Sequence, residues 1–163
     1  MDNNEFTQLI IEAEATLYHI SKSILKNDSD CADAVQEAIV KAFSKLHTLR
    51  NEQYFKTWIC RILIHECYQI CRTRKKTVSY EEYLEGEQPT ATPRELDLYS
   101  AIMSMKEKLR LVIVLHYIEG FRTSEIAGIL KIPEGTVKSR LSRGRLELKS
   151  ILEEQEGFCN EMG

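Results

Sequence analysis

The sequence predicts an all-α protein made of two small helical domains joined by a flexible acidic linker. Three observations lead there. Apolar residues recur at helical spacing along nearly the whole chain, no segment alternates with a period of two, and one central stretch loses the helical period while collecting prolines and acids. With 163 residues, 43% of them apolar, the chain can bury one core or two small ones.

The elements follow in order. Phe6, Leu9, Ile10, Ala13, Leu17, Ile20 and Ile24 line one face of a first helix that runs to Lys26, where "NDSD" punctuates. Val35, Ala38, Ile39, Ala42, Phe43 and Leu46 line a second. A third, from about Tyr54 to Thr73, is apolar over a wide arc that gathers Cys60, Cys67 and Cys71 with Ile59, Leu63, Ile64 and Ile70, which reads the thiols as core residues. "KKTVSYEEYLEGEQPTATPRE" has two prolines, one glycine and little periodicity; between Thr77 and Tyr99 six acids face one base. The expected division is therefore a first domain over 1–76, a linker over 77–93 and a second domain over 94–155. Residues 94–105 and 107–118 each read as a helix, the latter ended by Gly120.

The stretch "SEIAGILKIPEGTVKSRLSRGRLELKSIL" reads as a helix-turn-helix. Ile126, Ala127, Ile129 and Leu130 share one face of its first helix, and Thr123 is placed to accept hydrogen bonds from the free amides at that helix start. Pro133 suits the first turn of the second helix, with Glu134 near the positive end of its dipole. A helical wheel turns Val137, Leu141, Gly144 and Leu148 inward. Ser139, Ser142 and Arg143 point outward, flanked by Lys138 and Arg145, with Arg140 nearer the edge of the apolar stripe. From 134 to 149, five bases stand against two acids, although the chain as a whole carries a net charge of −3. Short hydroxyls among guanidiniums, on a helix that follows a tight turn, suit the major groove of DNA, where Arg bonds guanine edges and Ser and Lys hold phosphates.

The third helix carries a second polar line: Trp58, Arg61, His65, Gln69 and Arg72. A tryptophan beside cations is the composition that stacks unpaired bases and grips a single-stranded backbone; packing of Trp58 against a neighbouring helix is the alternative. The "CRTRKK" exit adds Arg74, Lys75 and Lys76. The chain thus presents one basic surface suited to duplex and another suited to unpaired bases.

Other classes find little support. No apolar run reaches the roughly 18 residues of a membrane span, and "MDNNEF" lacks the basic region of a signal peptide, so the chain is expected to stay in the cytoplasm without direct membrane insertion. Five cysteines at irregular spacing do not form a disulfide framework. His65 projects away from the cysteine stripe and no C-x-x-C exists, so no metal is expected. With neither a zinc-hydrolase "HExxH" nor a glycine-rich phosphate loop, neither an enzyme nor a cofactor is expected.

"DAVQEAIVKAF", "YFKTWICRILIHECYQICRTRKK" and "AIMSMKEKLRLVIVLHYIEGFRTSEIAGILKIPEGTVKSRLSRGRLELK" together resemble the bacterial sigma factors of the extracytoplasmic-function group, the RNA polymerase subunits that recognise promoters. The resemblance implies region two in the first domain and region four in the second. It implies polymerase binding by Asp33, Gln36, Glu37 and Lys41, which the wheel leaves opposite Val35, Ile39 and Phe43. It implies melting and minus-ten recognition by the Arg50 to Tyr54 loop with Trp58, Arg61, His65, Gln69 and Arg72, and minus-thirty-five recognition by Lys138, Ser139, Arg140, Ser142 and Arg143. The implied partners are core RNA polymerase, promoter DNA and an anti-sigma factor. Three positions depart from the family: His65 stands where Asn is common, Lys106 where a proline is usual, and Lys131 where glycine is common and a positive φ is required. The residues alone also allow a dimeric helix-turn-helix regulator that binds DNA without polymerase.

Overall fold

The computed structural model describes residues 1–77 and 93–162, so nearly all of the expected linker lies outside the described residues. These residues form seven α-helices with three short irregular turns, and no strand occurs among them. They divide into two compact units.

Helices α1 (Asn3–Leu25), α2 (Asp28–Ser44) and α3 (Phe55–Thr77) pack pairwise to make the first unit. A capping box starts α1: the Asp2 carboxylate accepts from the Glu5 amide and Glu5 accepts from the Asp2 amide, both at 2.8 Å. Lys26 ends it at φ 62°, the left-handed conformation that frees a helix C-terminus. Asn27 then caps α2 by accepting from the Asp30 amide. Leu17, Ile20, Leu25, Cys31, Ala34, Ala38, Ile59, Leu63 and Cys67 form the core, while Leu9, Ile10 and Ile39 are half-buried. The expected cysteine stripe is inward, with Cys60 and Cys67 buried and Cys71 half-buried. Phe43 departs from expectation. It is 52% exposed, although it makes a T-shaped contact with Phe6 at a centroid distance of 5.5 Å.

The second unit contains α4 (Pro93–Ser104), α5 (Glu107–Ile113) with a π-turn over Val114–Ile118, α6 (Thr123–Leu130) as far as Ala127, and α7 (Glu134–Met162). Both α4 and α5 pack on α7. The helix expected over 107–118 is thus α-helical only to Ile113. Its last turn widens, and the backbone bonds Glu119 N to Val114 O and Phe121 N to Leu115 O close it. His116 Nδ1 donates to Phe121 O at 2.8 Å across the same corner, and Gly120 turns the chain at φ 77°. The buried Arg110 donates to the carbonyls of Met103 and Met105, which satisfies the end of α4.

Two helix starts differ from expectation. Lys106 offers no side-chain cap, but Glu147 reaches from α7 and accepts from the Lys106 amide at 3.1 Å, doing the work of a cap from 41 residues away. Thr123 does not cap α6. Its hydroxyl donates to Glu134 at 2.8 Å, while Glu125 accepts from the Arg122 amide at the helix start. Pro133 lies just before α7, accepting from the amides of Thr136 and Val137.

Candidate nucleic-acid interface

The turn between α6 and α7 passes through Lys131 at φ 55°, so the position does adopt the left-handed conformation that glycine tolerates best. Helix α7 then buries Val137, Leu141 and Gly144 and half-buries Leu148. Gly144 makes a close seat: a Cβ there would lie 2.9 Å from Ile113 Cγ1. The helix is therefore fixed in rotation, and Lys138, Ser139, Ser142 and Arg143 are exposed, with Arg140 half-exposed. Arg143 folds back along the helix, donating from Nη2 to Ser139 Oγ at 3.1 Å and from Nε to Ser139 O at 3.5 Å. Arg145 donates to the Tyr117 hydroxyl at 2.9 Å. These two guanidiniums are oriented by neutral groups and keep their charge for an outside anion, whereas Lys138 lies 3.8 Å from Glu134 and Lys149 lies 4.0 Å from Glu153.

In the first unit, the line on α3 is outward. Arg61, His65, Gln69 and Arg72 are exposed, with Gln69 Nε2 and His65 Nε2 3.4 Å apart. Trp58 combines both readings of its sequence: it is half-buried, resting on Phe55 at 5.9 Å, and Phe55 rests in turn on Phe6. Its ring is backed by Phe55 and is not fully covered. The preceding loop is shaped by Asn51, whose side chain accepts from the Gln53 amide, and it leaves Tyr54 62% exposed. Arg74 does not join this surface. It donates from Nη2 to Asp30 Oδ1 at 2.6 Å, tying the end of α3 to the start of α2, and the Asp30 side chain is only 2% exposed. The side chains of Lys75 and Lys76 lie outside the described residues.

On α2, Asp33, Gln36 and Glu37 are exposed, and Val40, 64% exposed, stands among them. Lys41, its side chain 40% exposed, reaches from this face toward α3. Its Nζ donates to the nearly buried Glu66 at 2.7 Å and lies 3.9 Å from Glu37. The hydrogen bond to Glu66 raises the Lys41 ammonium above its ordinary pKa. Burial pushes the Cys67 thiol far above its usual value, with Cys31 and Cys71 nearby adding to the effect, and burial likewise raises Cys31. No group of three His, Cys, Asp or Glu side chains able to hold a metal ion occurs among the described residues, and no helix there is long and apolar enough to cross a membrane.

Sequence reasoning did not anticipate Glu66, Asp30, Glu147 or Tyr117 as partners, because each answers a residue 25 to 44 positions away. Val40 and Leu146 leave no helical signature either, because an outward aliphatic belongs to no core face.

The family model for Sigma-70 region 2 matches residues 9–77, and that for Sigma-70, region 4 matches residues 95–148. The chain is 31% identical to the RNA polymerase sigma factor SigV of Bacillus subtilis, over 82% of each chain, and 30% identical to the ECF RNA polymerase sigma factor SigW of the same organism, over 93% of this chain and 90% of that one. The chain belongs to the extracytoplasmic-function sigma factors. As such it is an alternative sigma factor, acting with core RNA polymerase to direct promoter-specific transcription initiation. The sigma-E factor of Escherichia coli is 28% identical over 88% of this sigma factor. Among solved structures, the sigma factor RpoE of Bartonella quintana, crystallised with the anti-sigma factor NepR, superposes with a TM-score of 0.78 at 26% identity, covering 91% of this chain and 97% of its own. CnrH, solved with the cytosolic domain of CnrY, shares the fold with a TM-score of 0.72.

Proposed function

We propose that the two units divide the work of initiation as their surfaces suggest. The first docks on core polymerase through Asp33, Gln36 and Glu37, with Lys41 bracing Glu37 from the Glu66 side, and then captures the opened minus-ten strand. Trp58 stacks an unpaired base, with Arg61, His65, Gln69 and Arg72 along the strand. The second sets α7 in the major groove of the minus-thirty-five element. There Arg143 and Arg140 contact bases, while Lys138, Ser139 and Ser142 hold the backbone and the groove edge. No covalent step is asked of this chain, and none of these residues needs a cofactor or a metal. Melting needs only that unstacked bases be caught before they re-pair, at about 1 to 3 kcal/mol per stacked base.

The observation that carries this reading is the backed, half-open Trp58 at the head of an exposed polar line on α3, in a chain that also presents a helix-turn-helix. A regulator that only gripped duplex would have no use for it. By likeness to the relatives solved with anti-sigma factors, an anti-sigma factor that covers these surfaces controls the protein, and the protein works in the cytoplasm beside polymerase.

The test is run-off transcription with purified core polymerase. Trp58→Ala impairs transcription from duplex promoters far more than from templates already mismatched across the melted region; equal impairment on both makes Trp58 a packing residue and removes the capture role. Glu37→Lys weakens binding to core polymerase while circular dichroism stays unchanged. The free chain footprints the promoter poorly and gains specificity with polymerase, whereas nanomolar footprinting by the chain alone would restore the dimeric regulator.

A further inference from the structure

Leu146 is 67% exposed, more than any other large hydrophobic side chain described. It lies three residues after Arg143, four after Ser142 and seven after Ser139, which at about 100° per residue puts it within roughly 20° of Ser139 on the wheel. Its helical neighbours Ser139, Ser142, Arg143, Lys149, Ser150 and Glu153 are all exposed and polar. The isobutyl group therefore stands on the groove-facing side of α7 and not on a shoulder of the core, and the seating of Gly144 against Ile113 on the opposite side keeps the helix from rolling it inward.

Among the base edges exposed in the DNA major groove, the one apolar group is the C5-methyl of thymine. Seven residues of α-helix span about 10 Å, or some three base steps, so a helix with Ser139 over one base pair carries Leu146 toward another at the end of the element. We propose that Leu146 is a further specificity determinant of this sigma factor, packing on a thymine methyl at one end of the minus-thirty-five element. The inference rests on α7 entering the major groove as set out under the proposed function. It adds a contact that reads the methyl itself, which no arginine or serine on this face can do. The neutral anchoring of Arg143 beside it supports the arrangement, since the guanidinium is drawn toward Ser139 and leaves the next turn clear for an apolar contact.

The experiment uses holoenzyme, assembled from core polymerase and either the full chain or its Leu146→Ala variant, in competition binding to promoter duplexes. Each thymine of the minus-thirty-five element is replaced in turn by deoxyuridine, which deletes only the methyl. For the unaltered chain, one replacement is expected to weaken binding roughly three- to ten-fold, the scale of one buried methyl or two. In Leu146→Ala, the intact promoter is weakened to a similar degree and that same replacement costs nothing further. If the deoxyuridine penalty is the same with and without the leucine, or no replacement has an effect, the proposal is overturned. A Leu146→Ala loss that is equal on every sequence, including promoters without a minus-thirty-five thymine, also overturns it and marks a protein contact. Arg143→Ala, run in parallel, separates the two layers: if it leaves minus-thirty-five recognition intact, the groove reading itself fails, whereas a loss with Arg143→Ala and none with Leu146→Ala sinks only the methyl contact.

Discussion

Replacing Gly144 by alanine adds one methyl to the seam between α7 and α5, and two opposing effects decide its sign. Alanine is the better helix former by about 1 kcal/mol in a helix interior. The new Cβ, however, would lie 2.9 Å from Ile113 Cγ1, 3.1 Å from its Cδ1 and 3.5 Å from the Leu109 carbonyl oxygen. Ile113 is only 2% exposed and the obstructing Cγ1 is close to its backbone, so little of the clash can be relieved by a rotamer change. Overpacking of this kind costs about 1 to 3 kcal/mol, which leaves a net destabilisation of up to about 2 kcal/mol. For a unit of this size that lowers the melting temperature by about 4 to 8 °C per kcal/mol. Gly135 supplies the control. Nothing lies within 4 Å of a Cβ there, so Gly135→Ala is expected to stabilise by a few tenths to about 1 kcal/mol. Calorimetry of the full chain, following the transition that belongs to the second unit, measures both. If Gly144→Ala raises the melting temperature as Gly135→Ala does, the seam is not close-packed and the argument that it fixes the rotation of the recognition helix fails.

Lys131→Gly is expected to stabilise the protein by roughly 0.5 to 1 kcal/mol in denaturant titrations, because a left-handed non-glycine residue costs about 1 to 2 kcal/mol and glycine gives part of that back in chain entropy. Glu147→Ala should cost about 0.5 to 2 kcal/mol by uncapping α5, with Glu147→Gln recovering part through its remaining carbonyl oxygen; equal losses would show that the cap is not the cause. Burial raises the folded pKa of Cys31 and Cys67, so their contribution to stability is complete below the unfolded thiol value of 9.0 and falls as pH rises from there toward the folded values. Stability of the first unit should therefore decline as pH rises above about 9, and by less in Cys67→Ala, whereas an unchanged decline in that variant would shift the cause to other groups. Within the recognition helix, Arg143→Ala should cost about 1 to 3 kcal/mol of holoenzyme binding and relax preference at one base pair, while Lys149→Ala should weaken all sequences alike and flatten the salt dependence. Competition binding across a promoter library at several salt concentrations distinguishes them.

The sequence by itself determined the features that depend on neighbours within a turn or two. Helical periodicity set the all-α class, the inward cysteines of α3 and the outward line from Arg61 to Arg72, because burial along a helix repeats every 3.6 residues and needs no knowledge of the partner. The left-handed Lys131 was legible only through the family resemblance, in which glycine is common at that turn. What the tertiary structure alone decided are the pairings between distant positions. Lys41 has the sequence environment of a surface cation, yet α3 brings the nearly buried Glu66 to within 2.7 Å of it. Arg74 belongs by charge to a basic tail, yet Asp30 holds it at the start of α2. Lys106 lacks a local cap, and Glu147 supplies one across the packing of α5 on α7. Phe43 fits the apolar face of α2 by spacing, but whether that side is covered depends on where α1 crosses it, and the T-shaped contact with Phe6 leaves it 52% exposed. A helix pattern states which way a side chain points; only the crossing of helices determines what it meets there.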